Sequence, residues 1–161
     1  MKIKTNALVP QNFIELNYKG PNPFGIYSLI YNIMKNLWKR KGADIFEDDF
    51  RWDNTSDPRD FYFIIRARFK YDRWSKGWIK IEVKGSHPSD PTNNGNFTLK
   101  IYAFLETEIS LKGLDKFLTP FLNFYLFSFY NKQRRDYLDD LKKNVLLGIE
   151  KIKKEFKMES E

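Results

Sequence analysis

Between Phe46 and Ile109 the chain alternates apolar and polar residues almost without interruption, a period of two that fits strands with one buried face and fits no helix. Phe46, Phe50 and Trp52 alternate with Glu47, Asp49, Arg51 and Asp53. Phe61, Phe63, Ile65, Ala67, Phe69 and Tyr71 share one side of a long strand whose other side holds Tyr62, Arg66, Arg68 and Lys70. Ile79, Ile81 and Val83 alternate with Lys80, Glu82 and Lys84, and Phe97, Leu99, Ile101, Ala103, Leu105 and Ile109 line a last strand. Asp57-Pro58, Ser75-Lys76-Gly77 and the stretch from Pro88 to Gly95 supply the turns. Successive strands with short links predict an antiparallel meander.

Upstream, Ile14, Leu16 and Tyr18 alternate with Glu15, Asn17 and Lys19, which adds a strand ended by Gly20-Pro21. Asn22 and Pro23 suit a helix start, and Ile26, Ile30, Ile33 and Leu37 recur at helical spacing before Gly42 as a stop. Downstream, Gly113 opens a final segment. Phe117 to Tyr130 is half aromatic and carries no charge, more apolar surface than one helix face can bury. After it, Leu138, Leu141, Val145, Ile149, Ile152 and Phe156 continue at spacings of three and four, with Lys142, Lys143, Lys151, Lys153 and Lys154 toward solvent. The fold class predicted is α+β: an antiparallel sheet of about five strands with an amino-terminal helix and a long carboxy-terminal helix packed on one face. At 161 residues, with neither linker nor repeat, residues 1–161 are expected to form a single domain.

Composition narrows the chemistry. Cysteine is absent and His87 is the lone histidine, so thiolate chemistry, a zinc centre and a histidine-based triad all lack their parts. An enzyme is therefore the last choice, and no catalytic residue, metal or cofactor is assigned. The uncharged aromatic run is shorter than the roughly 20 apolar residues of a membrane span, and the amino terminus lacks the hydrophobic stretch of a signal peptide. A cytoplasmic protein without a membrane span is expected. The net charge of +7 favours anionic partners such as RNA or acidic membrane surfaces.

A strand, a helix, several antiparallel strands and a long final helix make an order that resembles the helix-grip proteins, the START and Bet v 1-like superfamily, in which a curved sheet wraps the last helix. The likeness lies in element order over nearly the whole chain. What it implies is an apolar cavity between sheet and final helix that accepts a hydrophobic small molecule. In this chain Phe121, Phe124, Tyr125 and Phe127 would form one wall, with Phe63, Ile65, Ile101 and Ala103 opposite. The competing explanations of the same aromatic run are a helix buried on two sides and a homodimer seam.

The polar side of the sheet offers a second surface. Tyr62, Arg66, Arg68, Lys70, Trp78, Lys80, Lys84, Lys100 and Tyr102 interleave rings and cations, the combination that single-stranded RNA or a ribosomal surface would meet by stacking and phosphate pairing. Glu82, Glu106 and Glu108 interrupt it, and a solvated face with cross-strand pairs accounts for the same residues. The carboxylates Glu47, Asp48, Asp49, Asp53, Asp57 and Asp60 alternate in direction and do not converge on a metal by sequence alone.

Overall fold

The structure, a computed structural model, describes residues 2–109, 120–121 and 124–158, with the side chains of residues 126 and 127 outside that set. Its strands are β1 (Lys2–Asn6), β2 (Ile14–Gly20), β3 (Ile45–Trp52), β4 (Arg59–Lys70), β5 (Ser75–His87) and β6 (Gly95–Glu108). Helix α1 (Gly25–Asn32) runs into a π-helical turn, Ile33–Leu37, and a second such turn, Leu126–Tyr130, leads into α2 (Asn131–Glu155). The fold is α+β, as the periodicities predict.

The sheet has six strands where about five were expected, all antiparallel as predicted. The strands β3, β4, β5 and β6 form the meander, and the amino-terminal segment supplies the far edge in two pieces. β2 pairs with the first half of β6 (Ile14 opposite Ile101) and β1 with its second half (Ile3 opposite Thr107). β1 is the strand that hydropathy does not announce, because Lys2, Lys4 and Thr5 leave it little apolar pattern. The register stacks the apolar side chains in rows across the meander: Phe63, Val83 and Leu99; Ile65, Ile81 and Ile101; Ala67, Ile79 and Ala103.

Both helices cover this inner face. Ile26, Ile30, Ile33, Met34 and Trp38 are buried on the side of β3 and β4, where Phe24 meets Trp52 and Phe61 edge-on and Tyr27 meets Phe50 and Phe63. Leu141, Val145, Ile149 and Ile152 of α2 are buried as the spacing predicts. Two glycines set how closely these layers approach. A Cβ on Gly77 would lie 2.7 Å from a Leu141 methyl, and one on Gly148 would lie 2.9 Å from the Trp38 ring. The bare backbone at Gly148 lets the indole reach into α2 and donate from Nε1 to the Asn144 carbonyl at 2.8 Å.

The first helix ends earlier than Gly42. Lys39 adopts the left-handed conformation at φ 55°, after Trp38 has donated its N–H to the Ile33 carbonyl. At the other end, Asn22 is itself left-handed at φ 50°, and its carbonyl accepts the Gly25 N–H in place of a side-chain cap.

Leu141 has no exposed surface and fills the hollow above Gly77, so Leu141→Ala is expected to cost about 2–5 kcal/mol of stability. Urea unfolding measures this, and an effect below about 1 kcal/mol would mean that α2 is not seated as described.

Candidate functional site

A broad concavity lies where the helices part. The π-helical turn after α1 and Trp38 beyond it touch α2 through Ile33 and the Trp38 ring, whereas α1 itself, β2 and the end of α2 line a groove. The resulting groove is about 1360 Å³, against about 620 Å³ for the hollow beside Trp74. Ile14, Leu16, Tyr18, Leu29, Ile149 and Phe156 supply the apolar part of a lining that is otherwise polar. Leu146, on its rim, is 51% exposed. Lys19, Lys153 and Lys157 place cations around the same space, and Glu15 and Glu155 place carboxylates there. Tyr18 belongs to this lining, its ring tilted against Phe97 and edge-on to Phe156 with its hydroxyl donated to the Pro21 carbonyl at 2.7 Å, and burial raises its pKa above the ordinary phenol value.

The residues expected to face one another across a cavity are not brought together. Phe63, Ile65 and Ile101 have no exposed surface, and Ala103 has almost none, because α1 and α2 already cover them. Phe121, Phe124 and Tyr125 are exposed, since the inner face leaves no room for the turns before Tyr130. The Phe127 side chain lies outside the described residues, as does Gly113. The groove was not legible in the sequence, since it depends on the angle between two helices, although the alternating Ile14, Leu16 and Tyr18 mark its floor.

On the outer face the register does assemble most of the ring and cation set. Arg68, Trp78 and Phe104 form one row, and Arg66, Lys80 and Tyr102 the next. Tyr62 and Lys84 share a row two steps further along, beside Thr98, so Tyr62 stands apart from Trp78 and Tyr102. The rings are not open platforms. Arg66 sits 4.5 Å over Trp78 and 5.3 Å over Phe46, Lys80 lies 4.4 Å over Tyr102, and Lys100 lies 5.0 Å over Phe13. Trp78 is left 7% exposed. Arg66 and Arg68 also pair with Asp48 and Asp44, and Lys70 reaches Asp44 at 3.9 Å. Of the other carboxylates near β3, Asp49 pairs with Arg51, Glu47 accepts the Tyr27 hydroxyl, and Asp57 and Asp60 accept from Ser89 and Ser86. His87 packs its ring against Phe24 and Trp52 at the end of β5 rather than in an open turn.

Sequence reasoning missed a polar chain at the start of α2. Arg134 is 8% exposed, donating from Nε to Thr107 Oγ1 at 2.9 Å and from Nη2 to Thr5 Oγ1 at 2.7 Å. Thr107 is 2.8 Å from Ser75 Oγ, which is 2.7 Å from the Tyr130 hydroxyl, and Tyr130 donates to Asp72 Oδ2 at 2.7 Å. Because a guanidinium only donates and a carboxylate only accepts, every proton in this chain has one direction, from Arg134 through Thr107, Ser75 and Tyr130 to Asp72. Burial alone would raise the Asp72 carboxyl, but hydrogen bonds from Tyr130, the Trp74 amide, Tyr137 and the Ser75 amide outweigh it and hold the group below the ordinary carboxylate value. Burial, and hydrogen bonding to Asp72, push Tyr130 well above the usual phenol range. Nothing in this arrangement supplies a nucleophile or a base at neutral pH, and its role is to anchor α2.

Among the described residues, no helix is long and apolar enough to cross a membrane. No protein-family model matches the chain, and no curated protein matches it either. Among solved structures, a protein of unknown function from Staphylococcus aureus aligns over 92% of this chain and 96% of its own, at 9% identity and a TM-score of 0.24. Likeness at that level carries no assignment.

Thr107→Val removes the acceptor of a buried guanidinium and is expected to cost about 1–3 kcal/mol. Folding lowers the Asp72 pKa, so this carboxylate adds stability above its unfolded value, about pH 4, and that contribution is lost as pH falls through the lower folded-state value. Asp72→Asn should therefore be less stable than the parent at neutral pH, with the gap closing in acid. Urea midpoints across the acid range check this, and a gap that stays constant would remove Asp72 from the acid limb.

Proposed function

We propose that this protein is a non-catalytic binding domain that holds a hydrophobic small molecule between the sheet and its carboxy-terminal helix. The observation that carries the reading is the groove between β2, the start of α1 and the end of α2. Small-molecule sites are concave, mostly apolar and furnished with a few polar groups that fix orientation. Ile14, Leu16, Leu29, Leu146, Ile149 and Phe156 fit an elongated apolar body, and Lys19, Lys153 and Lys157, which outnumber Glu15 and Glu155 in the same lining, fit an anionic head. An amphiphile with a carboxylate or phosphate end has that shape and charge.

The path of the chain supports the resemblance to helix-grip proteins. A first edge strand pairs with the last strand, a meander fills the remainder of the sheet, and the final helix lies across the inner face. The bound molecule would then occupy an open groove at one end of the final helix, because the space directly beneath it is filled.

Association with RNA or a ribosomal surface is the second reading. What favours it is a set of outer-face lysines, Lys4, Lys80 and Lys100, that lie over rings and form no ion pair among the described residues. Such cations keep their outward sides free for phosphate. The stacking component is weak, since Trp78 is covered.

A fluorescent long-chain fatty acid is expected to bind the purified protein and to lose on the order of tenfold in affinity in Leu146→Asp, which puts a like charge in the groove. Lys153→Glu should weaken the fatty acid more than the corresponding alcohol. If neither probe binds, and solvent extraction of the native protein releases no amphiphile, the groove reading fails. The RNA reading predicts uridine-oligomer binding that falls steeply with salt, and a salt slope lowered by about one in Lys80→Ala or Lys100→Ala. Salt-independent binding rejects it.

A further inference from the structure

The turns that lead into α2 present rings to solvent. Phe121, Phe124 and Phe129 are 70%, 66% and 63% exposed, and Tyr125 is 41% exposed. Tyr125 lies edge-on to Trp74 at 6.3 Å and 5.9 Å from Phe129, so these three rings form a connected cluster at one end of the molecule, with Phe121 and Phe124 exposed just before them in the chain. Tyr130 anchors it from beneath, buried against Trp74 and hydrogen-bonded to Ser75 and Asp72. The cluster is held on a fixed base.

Basic residues outnumber acidic ones around it, with Glu106 and Glu108 sharing the hollow beside Trp74 and Asp136 following Arg135 on an exposed position. Arg73 sits 4.5 Å over the Trp74 ring, and Lys132 and Arg135 follow Phe129 on exposed positions of α2. From Phe117 to Arg135 the chain contains no aspartate or glutamate. Asp72, the carboxylate beneath, has its oxygens taken up by Tyr130, Tyr137 and the amides of Trp74 and Ser75. We propose that this end of the molecule docks on the surface of an anionic lipid bilayer, with the exposed rings in the boundary between headgroups and acyl chains and Arg73, Lys132 and Arg135 against the lipid charges.

Rings with an apolar body settle at that depth, and basic residues beside them gain from anionic headgroups. A second copy of the chain is the other occupant that an apolar patch suggests. A two-fold contact, however, would bring the basic edges of both copies, with Lys132 and Arg135 of each, into one seam. Like charges there oppose a dimer, whereas an anionic surface satisfies them. The groove lies toward the other end of α2, so docking is independent of what the groove holds.

Flotation of the full chain with vesicles tests this. Protein is expected to float with phosphatidylcholine vesicles containing phosphatidylserine, much less with phosphatidylcholine alone, and less in both as salt is raised. The combined variant Phe121→Ser, Phe124→Ser, Phe129→Ser should lose more than about tenfold in partitioning, with its circular dichroism and fatty-acid binding unchanged. Lys132→Gln and Arg135→Gln should each lose about fivefold on anionic vesicles. The proposal is overturned if the parent protein fails to float with anionic vesicles at low salt, or if the triple variant floats equally well. It is also overturned if light scattering without lipid shows a dimer that the triple variant abolishes, since the patch then belongs to a second copy.

Discussion

Docking of α2 across the inner face of the sheet is the contact on which the remaining features depend. Leu141, Val145, Ile149 and Ile152 each leave water along this seam, and burial of an aliphatic side chain contributes about 1.5–3 kcal/mol before entropy is counted. The seam also places Gly148 where the Trp38 indole can enter and reach the Asn144 carbonyl, so the first helix is locked to the second at one point. With both helices on the face, nothing hollow remains above Phe63, Ile65 and Ile101. Free space is displaced to the end where the helices diverge, and the groove beside β2 follows from that contact.

The opposite end of α2 is held by polar chemistry instead. The buried Arg134 guanidinium has a large desolvation cost to recover, and it does not meet the exposed Asp72 carboxylate directly. Here Thr107, Ser75 and Tyr130 stand between them, each accepting from one neighbour and donating to the next, so both charges are solvated by hydroxyls from β5, β6 and the helix start. Such chains polarise in one sense and penalise the loss of any member. This arrangement also fixes the rotation of the helix. With Tyr130 and Arg134 one turn apart and both turned inward, the positions that carry Phe121, Phe124 and Phe129 are left outside.

Much of the architecture was legible because period carries it. The four meander strands, the helix over Ile26 to Leu37 and the stripe from Leu138 to Phe156 all read directly from spacing, and the polar face of the meander faces outward as its parity required. β1 was hidden because Lys2 and Lys4 make an edge strand look like a solvated terminus. The stops around α1 were misplaced because Asn22 and Lys39 adopt left-handed conformations that sequence offers more readily to glycine. The aromatic run was the largest misreading. Hydrophobicity alone says that such a segment seeks cover, but the inner face was already claimed by side chains further along the same helix. The Arg134 to Asp72 chain had no signal at all, since its members are scattered from Asp72 to Arg134 and pair only through strand register.

The outer face shows why a positive net charge does not by itself define an anion site. Arg66 and Arg68 are spent on Asp48, Asp44 and the faces of Phe46 and Trp78, and Lys76 reaches both Trp78 and Glu106. A cation resting on a ring shields that ring from water and blocks a base from stacking there, so the two halves of a stacking site cancel at Trp78. The lysines further along, Lys80 and Lys100, hold rings through one side only and keep the ammonium accessible. Phosphate could be met there, but bases could not be read. The face is therefore suited to weak, salt-sensitive contact with an anion, whereas the groove and the exposed rings lie at opposite ends of α2.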